Sequence, residues 1–165
     1  MATVAVGLGA NLGDRRSTLG RAAVSLGRLG EPLAVSPLYE TAPVGGPPQP
    51  DYLNAVVVLE TPLGPRAVLD GLLGMEREAG RIRRRRWGPR SLDLDLLLYG
   101  DCEVDEPGLR IPHPRMAERR FVLEPLLAAW PEARLPDGTA VASLLGPVSG
   151  QQVRRVAGPE WAGEA

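Results

Sequence analysis

Between Ser91 and Tyr99 the chain reads Ser-Leu-Asp-Leu-Asp-Leu-Leu-Leu-Tyr, alternating at first and then continuously apolar, with no Gly or Pro inside it. That pattern predicts a β-strand, half-buried at its start and deepening toward its end. Side chains two apart share a strand face. Asp93 and Asp95 therefore project together, about 6–7 Å apart at Cβ, while Leu92, Leu94 and Leu96 point the other way, into the core.

Two adjacent carboxylates repel each other unless a cation sits between them. Mg²⁺ is the usual partner, because it is held by one or two carboxylates together with water and substrate phosphate oxygens. Just upstream stand Arg81, Arg83, Arg84, Arg85 and Arg86, then the turn Trp87-Gly88-Pro89-Arg90. Guanidinium groups bind phosphate bidentately and keep their charge. An acid pair beside an arginine loop suits a protein that holds a metal–polyphosphate. An exposed strand face with solvated charges explains an isolated Asp-x-Asp better; it explains the acid pair, arginine block and rigid turn together less well.

With 165 residues the chain is long enough for one domain with a real core. Nineteen basic residues, all Arg, against 20 acidic ones give a net charge of −1. This argues against a globally basic nucleic-acid binder. Cys102 is the single cysteine, so neither an internal disulfide nor a cysteine zinc site is available, which fits a reducing cytoplasm. No signal peptide and no apolar run of membrane-spanning length is visible, and a soluble cytoplasmic protein is expected.

Ala2 to Leu8 reads as a buried strand that runs into Gly7-Leu8-Gly9-Ala10-Asn11-Leu12-Gly13-Asp14. A dinucleotide fingerprint would need its third glycine at position 12, which is Leu12, so the stretch reads as a tight turn. Asp14 or Ser17 then caps a helix over 15–29. Residues 32–39 form a second extended segment. The Pro- and Gly-rich loop over 40–50 suits no regular element, and its length suggests a functional role. A strand over 52–60 and a helix over 65–79, with Pro65 in its first turn and Gly80 as its stop, precede the arginine loop. Short extended pieces are expected near 103–105 and 109–111, a short helix near 115–118 and a last helix near 139–145. From about 150 the tail is polar and expected to be loosely held. The order strand–helix–strand–strand–helix–strand over 2–99 is that of a ferredoxin-like βαββαβ sheet, with the later elements added around it.

Several motifs together resemble those of the 6-hydroxymethyl-7,8-dihydropterin pyrophosphokinase family. They are Gly9 to Gly13, Gln49 to Ala55, Glu76 with Gly80-Arg81, Trp87 to Asp95, Ile111-Pro112-His113-Pro114 and Arg119 to Leu123. The resemblance implies an α+β fold, an α/β/α sandwich on a ferredoxin-like core. It also implies transfer of the β,γ-pyrophosphoryl group of ATP to a pterin hydroxymethyl with release of AMP. By the same resemblance Asp93 and Asp95 hold two Mg²⁺, and Asp95 orients the attacking hydroxyl. Arg81 and Arg90 sit on the transferred group, and Arg83 swings in from the loop. Thr41, Pro43, Val44, Tyr52, Asn54, Trp87 and Phe121 surround the pterin. Glu76, Arg83, Trp87, Arg90, Leu96, Arg110, His113 and Arg119 face the nucleotide. The residues alone leave alternatives. Trp87 either packs its loop or caps substrate, Tyr52 is either a stacking ring or a half-buried strand tyrosine, and Glu76 either orients an arginine or meets the nucleotide. Ala10 departs from the Ser of many members, the loop from Arg81 to Trp87 looks one residue short, and Arg110 has no secure counterpart. The implied enzyme acts as a monomer on small molecules, with no nucleic-acid or membrane partner.

Two rivals share the sheet. A palm-type nucleotidyltransferase also carries two acids on such a sheet, but no second motif of that class is visible. An RNA-binding module would place aromatics where Asp93 and Asp95 stand, and those acids would repel an RNA backbone.

Overall fold

The computed structural model describes residues 1–11, 13–42, 48–80 and 92–163. The acidic stretch does form a strand, and the chain around it is mixed helix and antiparallel sheet. In chain order the elements are β1 (Ala2–Ala10), α1 (Arg15–Leu26), β2 (Glu31–Val35), β3 (Leu38–Thr41), β4 (Tyr52–Thr61), α2 (Pro65–Ala79) and β5 (Asp93–Tyr99). A small hairpin, β6 (Val104–Glu106) and β7 (Leu109–Ile111), follows. Then come α3 (Arg120–Ala129), α4 (Leu145–Val148) and β8 (Arg154–Ala157), with 3₁₀ turns at Met116–Glu118, Val141–Leu144 and Pro159–Gly163.

The main sheet runs β5-β1-β4-β3-β8, and β2 also pairs with β4. All of its pairings are antiparallel. Parity along the strands divides the core into two halves. Val4, Val6 and Leu8 of β1, Ala55, Val57 and Leu59 of β4, and Leu94 and Leu96 of β5 pack against the apolar sides of α1 and α2. On the opposite face Ala5, Val56, Val58 and Leu97 meet Leu123 and Leu126 of α3. The acid pair lies on this second face.

Helix α1 starts as expected, the Asp14 side chain accepting from the Ser17 N–H at 3.1 Å. It ends three residues early as an α-helix. Gly27, Arg28 and Leu29 each bond back three residues rather than four, tightening the last turn. Leu29 thus stays buried on the face that periodicity assigned to it. The extended segment at 32–39 is two strands, broken where Ser36 takes over the local bonding. The Ser36 N–H donates to the Val56 carbonyl, its hydroxyl donates to the Pro37 carbonyl at 2.7 Å, and that same oxygen accepts from the Val56 N–H at 2.9 Å. The last helix arrives as a 3₁₀ turn leading into α4, a few residues later than expected.

The tail departs most from expectation. Residues 154–157 add β8 to the sheet edge against β3. Trp161 is fully buried, packs in the core beside α1, and its indole N–H donates to the Ser36 carbonyl at 2.7 Å. A Trp with one polar handle needs such a partner when it is buried. The strand break at Ser36 is thus also where the tail docks.

Candidate active site

The register of three strands lays out the site. Gly9 of β1 is paired with Asp93 on one side and Asn54 on the other, and Gly7 is paired with Asp95 and Val56. Each aspartate therefore stands beside a residue with no side chain. A Cβ on Gly9 would come 3.1 Å from the Asn54 side-chain oxygen, and one on Gly7 would meet Leu97 at 3.4 Å. The glycines that suggested a turn motif are in fact the bare floor of a cavity. In the sequence, this strip is signalled only by the alternation of Gly7 and Gly9 on a strand whose neighbour carries the acids.

That cavity has a volume of about 1240 Å³, above the roughly 300–1,000 Å³ typical of single-ligand sites. It brings Asp93 and Asp95 together with Thr41, Tyr52 and Asn54 from the β3–β4 side, and with Arg119 and Phe121 from the start of α3. Asn54 and Thr41 are buried, and the Asn54 side-chain N–H donates to the Thr41 hydroxyl at 2.9 Å. This bond orients the amide at the cavity wall. The Arg119 guanidinium lies 5.6 Å from the centroid of the Phe121 ring, within cation–π range.

The wall on the β3–β4 side is braced from several elements. Asn11, at the end of β1, donates to the Gln49 side chain at 2.7 Å and to the Pro50 carbonyl at 3.0 Å. Arg15 donates to the Asp51 carbonyl at 2.7 Å and to Glu40 at 3.1 Å. Glu40 also pairs with Arg154 of the tail strand. Asn11 and Gln49 lie within the family-like motifs but have no role assigned there, and Arg15 and Arg115 are supporting residues outside those motifs.

His113 follows a cis Ile111–Pro112 peptide and donates its backbone N–H to the Leu97 carbonyl at 3.0 Å. Its Nδ1 accepts from the Arg115 N–H at 3.2 Å, so in the neutral ring the proton resides on Nε2. Nε2 stands 3.7 Å from Asp95 Oδ1. Burial pulls the imidazole below its ordinary pKa, Arg119 pushes the same way, Asp93 opposes, and Arg115 adds to the lowering. The contact with Asp95 is therefore that of a neutral N–H near a carboxylate rather than a full ion pair at pH 7.

Glu76, near the end of α2, lies behind the acid strand. Its Oε2 accepts from the Leu94 N–H at 2.7 Å. The Leu96 side chain is buried in the α1–α2 half of the core, which leaves its main chain as the part able to meet a ligand. Arg110 lies on β7, exposed, 3.4 Å from Asp105. Arg110 is not among the described residues that line the cavity. Pro43, Val44, Arg81, Arg83, Trp87 and Arg90 lie outside the described residues.

The donor set fits Mg²⁺. Carboxylate oxygens are hard ligands, and two of them leave coordination positions for water and phosphate oxygens. Among the described residues no group of three or more His, Cys, Asp or Glu is arranged to hold a metal ion by itself.

Comparison with known proteins agrees with this geometry. Residues 5–131 match the family described as 7,8-dihydro-6-hydroxymethylpterin-pyrophosphokinase. A Pseudomonas aeruginosa protein named 2-amino-4-hydroxy-6-hydroxymethyldihydropteridine pyrophosphokinase is 44% identical, over 94% of this chain and 97% of its own length. Its Haemophilus influenzae namesake is 40% identical, over 88% of this chain and 92% of its own. Among solved structures, a Plasmodium falciparum HPPK-DHPS with pteroate superimposes with a TM-score of 0.70 at 13% identity. The match covers 89% of this chain and 44% of that one, and it speaks to the fold alone. On the family match and the near full-length relatives, this chain belongs to the 7,8-dihydro-6-hydroxymethylpterin-pyrophosphokinase family.

Proposed function

We infer that this protein transfers the β,γ-pyrophosphoryl group of ATP to the hydroxymethyl of 6-hydroxymethyl-7,8-dihydropterin, releasing AMP, as a step of folate biosynthesis. The observation that carries the reading is the shared cavity. It has an acid pair on one strand, the hydrogen-bonding Asn54 amide and the Tyr52 ring on the β3–β4 side, and cationic Arg115 and Arg119 with the Phe121 ring on the side where α3 starts. An enzyme joining a flat heterocycle to a triphosphate needs those three parts together.

The hydroxymethyl oxygen attacks the β-phosphorus and releases its proton to solvent, the bond from that phosphorus to the oxygen bridging the α-phosphate breaks, and AMP leaves with that oxygen. Asp93 and Asp95 would hold two Mg²⁺ against the triphosphate, and a bound metal supplies charge neutralisation and alignment. Asp95 orients the incoming hydroxyl. Neutral His113 presents its Nε2 proton beside Asp95, and Arg119 lies on the phosphate side. Arg81 and Arg90 act on the transferred group, and Arg83 and Trp87 contact the nucleotide and help to exclude water. Thr41, Asn54, Tyr52 and Phe121, with Pro43 and Val44, form the pterin wall. Glu76, Leu96 and Arg110 complete the nucleotide side.

The strand order supports a ferredoxin-like βαββαβ core if β2 and β3 are counted as one interrupted strand, with α1 and α2 on one face and α3 on the other making an α/β/α sandwich. The chain acts as a single domain, as a cytoplasmic monomer on small molecules, without nucleic-acid or membrane partners. No described helix is long and apolar enough to cross a membrane.

Product analysis tests the function directly. Protein, Mg·ATP and hydroxymethyl-dihydropterin should yield AMP in step with a diphosphorylated pterin. ADP in place of AMP, or no turnover at all, would overturn the reading.

A further inference from the structure

Gln151 lies beyond the 5–131 stretch that matches the family. Its side-chain amide nevertheless bonds to both flanks of Arg119. Oε1 accepts from the Arg120 N–H at 2.9 Å, and Nε2 donates to the Glu118 carbonyl at 2.8 Å. Arg120 returns the contact, its Nη1 donating to the Ser149 carbonyl at 3.0 Å and the Gln151 carbonyl at 2.7 Å, while its Nε donates to Glu124 at 3.0 Å. The tail and the start of α3 are thus laced together around one residue.

That residue, Arg119, is the joint between the 3₁₀ turn at Met116–Glu118 and α3. Its backbone is extended, with φ −127° and ψ 105°, and its own side chain does not cap the helix. The Arg120 N–H would otherwise be one of the unpaired donors at a helix start, so the Gln151 amide acts as a cap supplied from a distant part of the chain. Capping alone would require only the Oε1 contact. The second bond, to the carbonyl on the other side of Arg119, fixes the peptide planes before and after it. A long side chain magnifies small backbone rotations, so holding both flanks aims the guanidinium into the cavity beside Phe121.

We propose that Gln151 is a positioning residue for nucleotide binding, acting through Arg119. The proposal rests on the reading of Arg119 as a phosphate contact. If the splint is lost, the Arg119 backbone keeps its bonds to Met116, Val122 and Leu123 but loses the hold on its two flanking peptides. More of its ordering then falls on the moment ATP binds. Ordering one backbone residue is worth about five- to thirtyfold in an equilibrium constant.

The test is a double-mutant cycle of Gln151→Ala and Arg119→Ala, measuring the Kd for Mg·ATP, the KM for pterin and the melting temperature. Gln151→Ala should weaken Mg·ATP binding by about five- to thirtyfold. The pterin KM should change little, and the melting temperature should fall by only about 2–4 °C, the cost of one exposed helix cap in a chain of this size. In the Arg119→Ala background it should weaken ATP binding no further. Gln151→Glu, which keeps the acceptor for Arg120 and loses the donor to Glu118, should fall between wild type and Gln151→Ala, and it serves as the readout if Gln151→Ala fails to fold. Additive losses in the cycle, or equal losses for both substrates, would overturn the proposal by marking Gln151 as a general brace. Wild type that makes no AMP would instead overturn the pyrophosphokinase reading. AMP formation with unchanged ATP affinity in Arg119→Ala would overturn the role of Arg119 and this proposal with it.

Discussion

Glu76 holds the main chain of Leu94, the residue between the two aspartates, by a 2.7 Å hydrogen bond from α2 to β5. β5 is an edge strand of the sheet, so on its outer side this bond stands where a neighbouring strand would otherwise be. Glu76→Ala should lower kcat/KM for AMP formation by about tenfold or more, the scale of a lost bond to a charged group. Glu76→Gln, which retains an acceptor, should lose much less. Steady-state assays across a Mg²⁺ titration check this, with the Ala variant needing more Mg²⁺ for half-maximal rate.

Asp93→Asn and Asp95→Asn each replace a carboxylate with a neutral amide of the same shape. AMP formation should drop by about a hundredfold or more in each, since even outer-shell changes at metal sites cost 10–100-fold. Thermal melting without metal should stay close to wild type or rise, because two neighbouring negative charges are relieved. A variant with unchanged AMP formation would remove that aspartate from the site.

Gly9→Ala places a methyl 3.1 Å from the Asn54 amide oxygen at the cavity floor. The amide must shift, and its bond to Thr41 with it. Pterin KM should rise about tenfold while ATP affinity changes little, overpacking of this size being worth about 1–3 kcal/mol. Paired substrate titrations on one preparation decide it.

Burial, with Arg119 adding to it, holds His113 below its ordinary pKa. In the metal-free protein the unfolded chain therefore takes up this proton at higher pH than the folded one does. Stability should fall as pH drops from the ordinary histidine range toward the lowered folded value, and level off below it. His113→Asn should flatten that part of the profile. Urea unfolding in EDTA from pH 7.5 downward measures the difference in slope.

Trp161→Ala should destabilise the fold by about 3–5 kcal/mol, as for other buried aromatics truncated to Ala. Trp161→Phe keeps most of the ring volume but orphans the Ser36 carbonyl, at about 1–3 kcal/mol. Urea midpoints give both values, and a near-wild-type midpoint for Trp161→Ala would mean that the tail is not docked in solution.

Much of the site was readable because strand parity is strict: Asp93 and Asp95 had to share a face, and Tyr52 and Asn54 likewise. The helix over 65–79 had Pro65 at one end and Gly80 at the other, and α2 occupies that span. Two things were hidden. Gly7 and Gly9 looked like a turn because their role lies in what their neighbours across the sheet need, and pairing partners are not written in a single strand. The tail looked loose because β8 is exposed and polar, with no apolar period to announce it. What holds it is contact far away in sequence: β8 on the edge of β3, the Gln151 amide on the start of α3, and the Trp161 indole on the Ser36 carbonyl. Gln151 was invisible for the same reason, since a side-chain amide that splints a remote backbone leaves no local pattern.

The pairing of Gly9 with Asp93 joins β1, the first strand of the chain, to β5 at the edge of the main sheet. The intervening chain, which carries β4 and α2, has to be looped out for that rung to close. Nearly all the contacts that define the acid pair are therefore non-local, and closure of such loops is slow relative to helix formation. During refolding, helical circular dichroism should recover ahead of Mg·ATP binding, so the ability to bind nucleotide becomes a timer for the completion of the sheet.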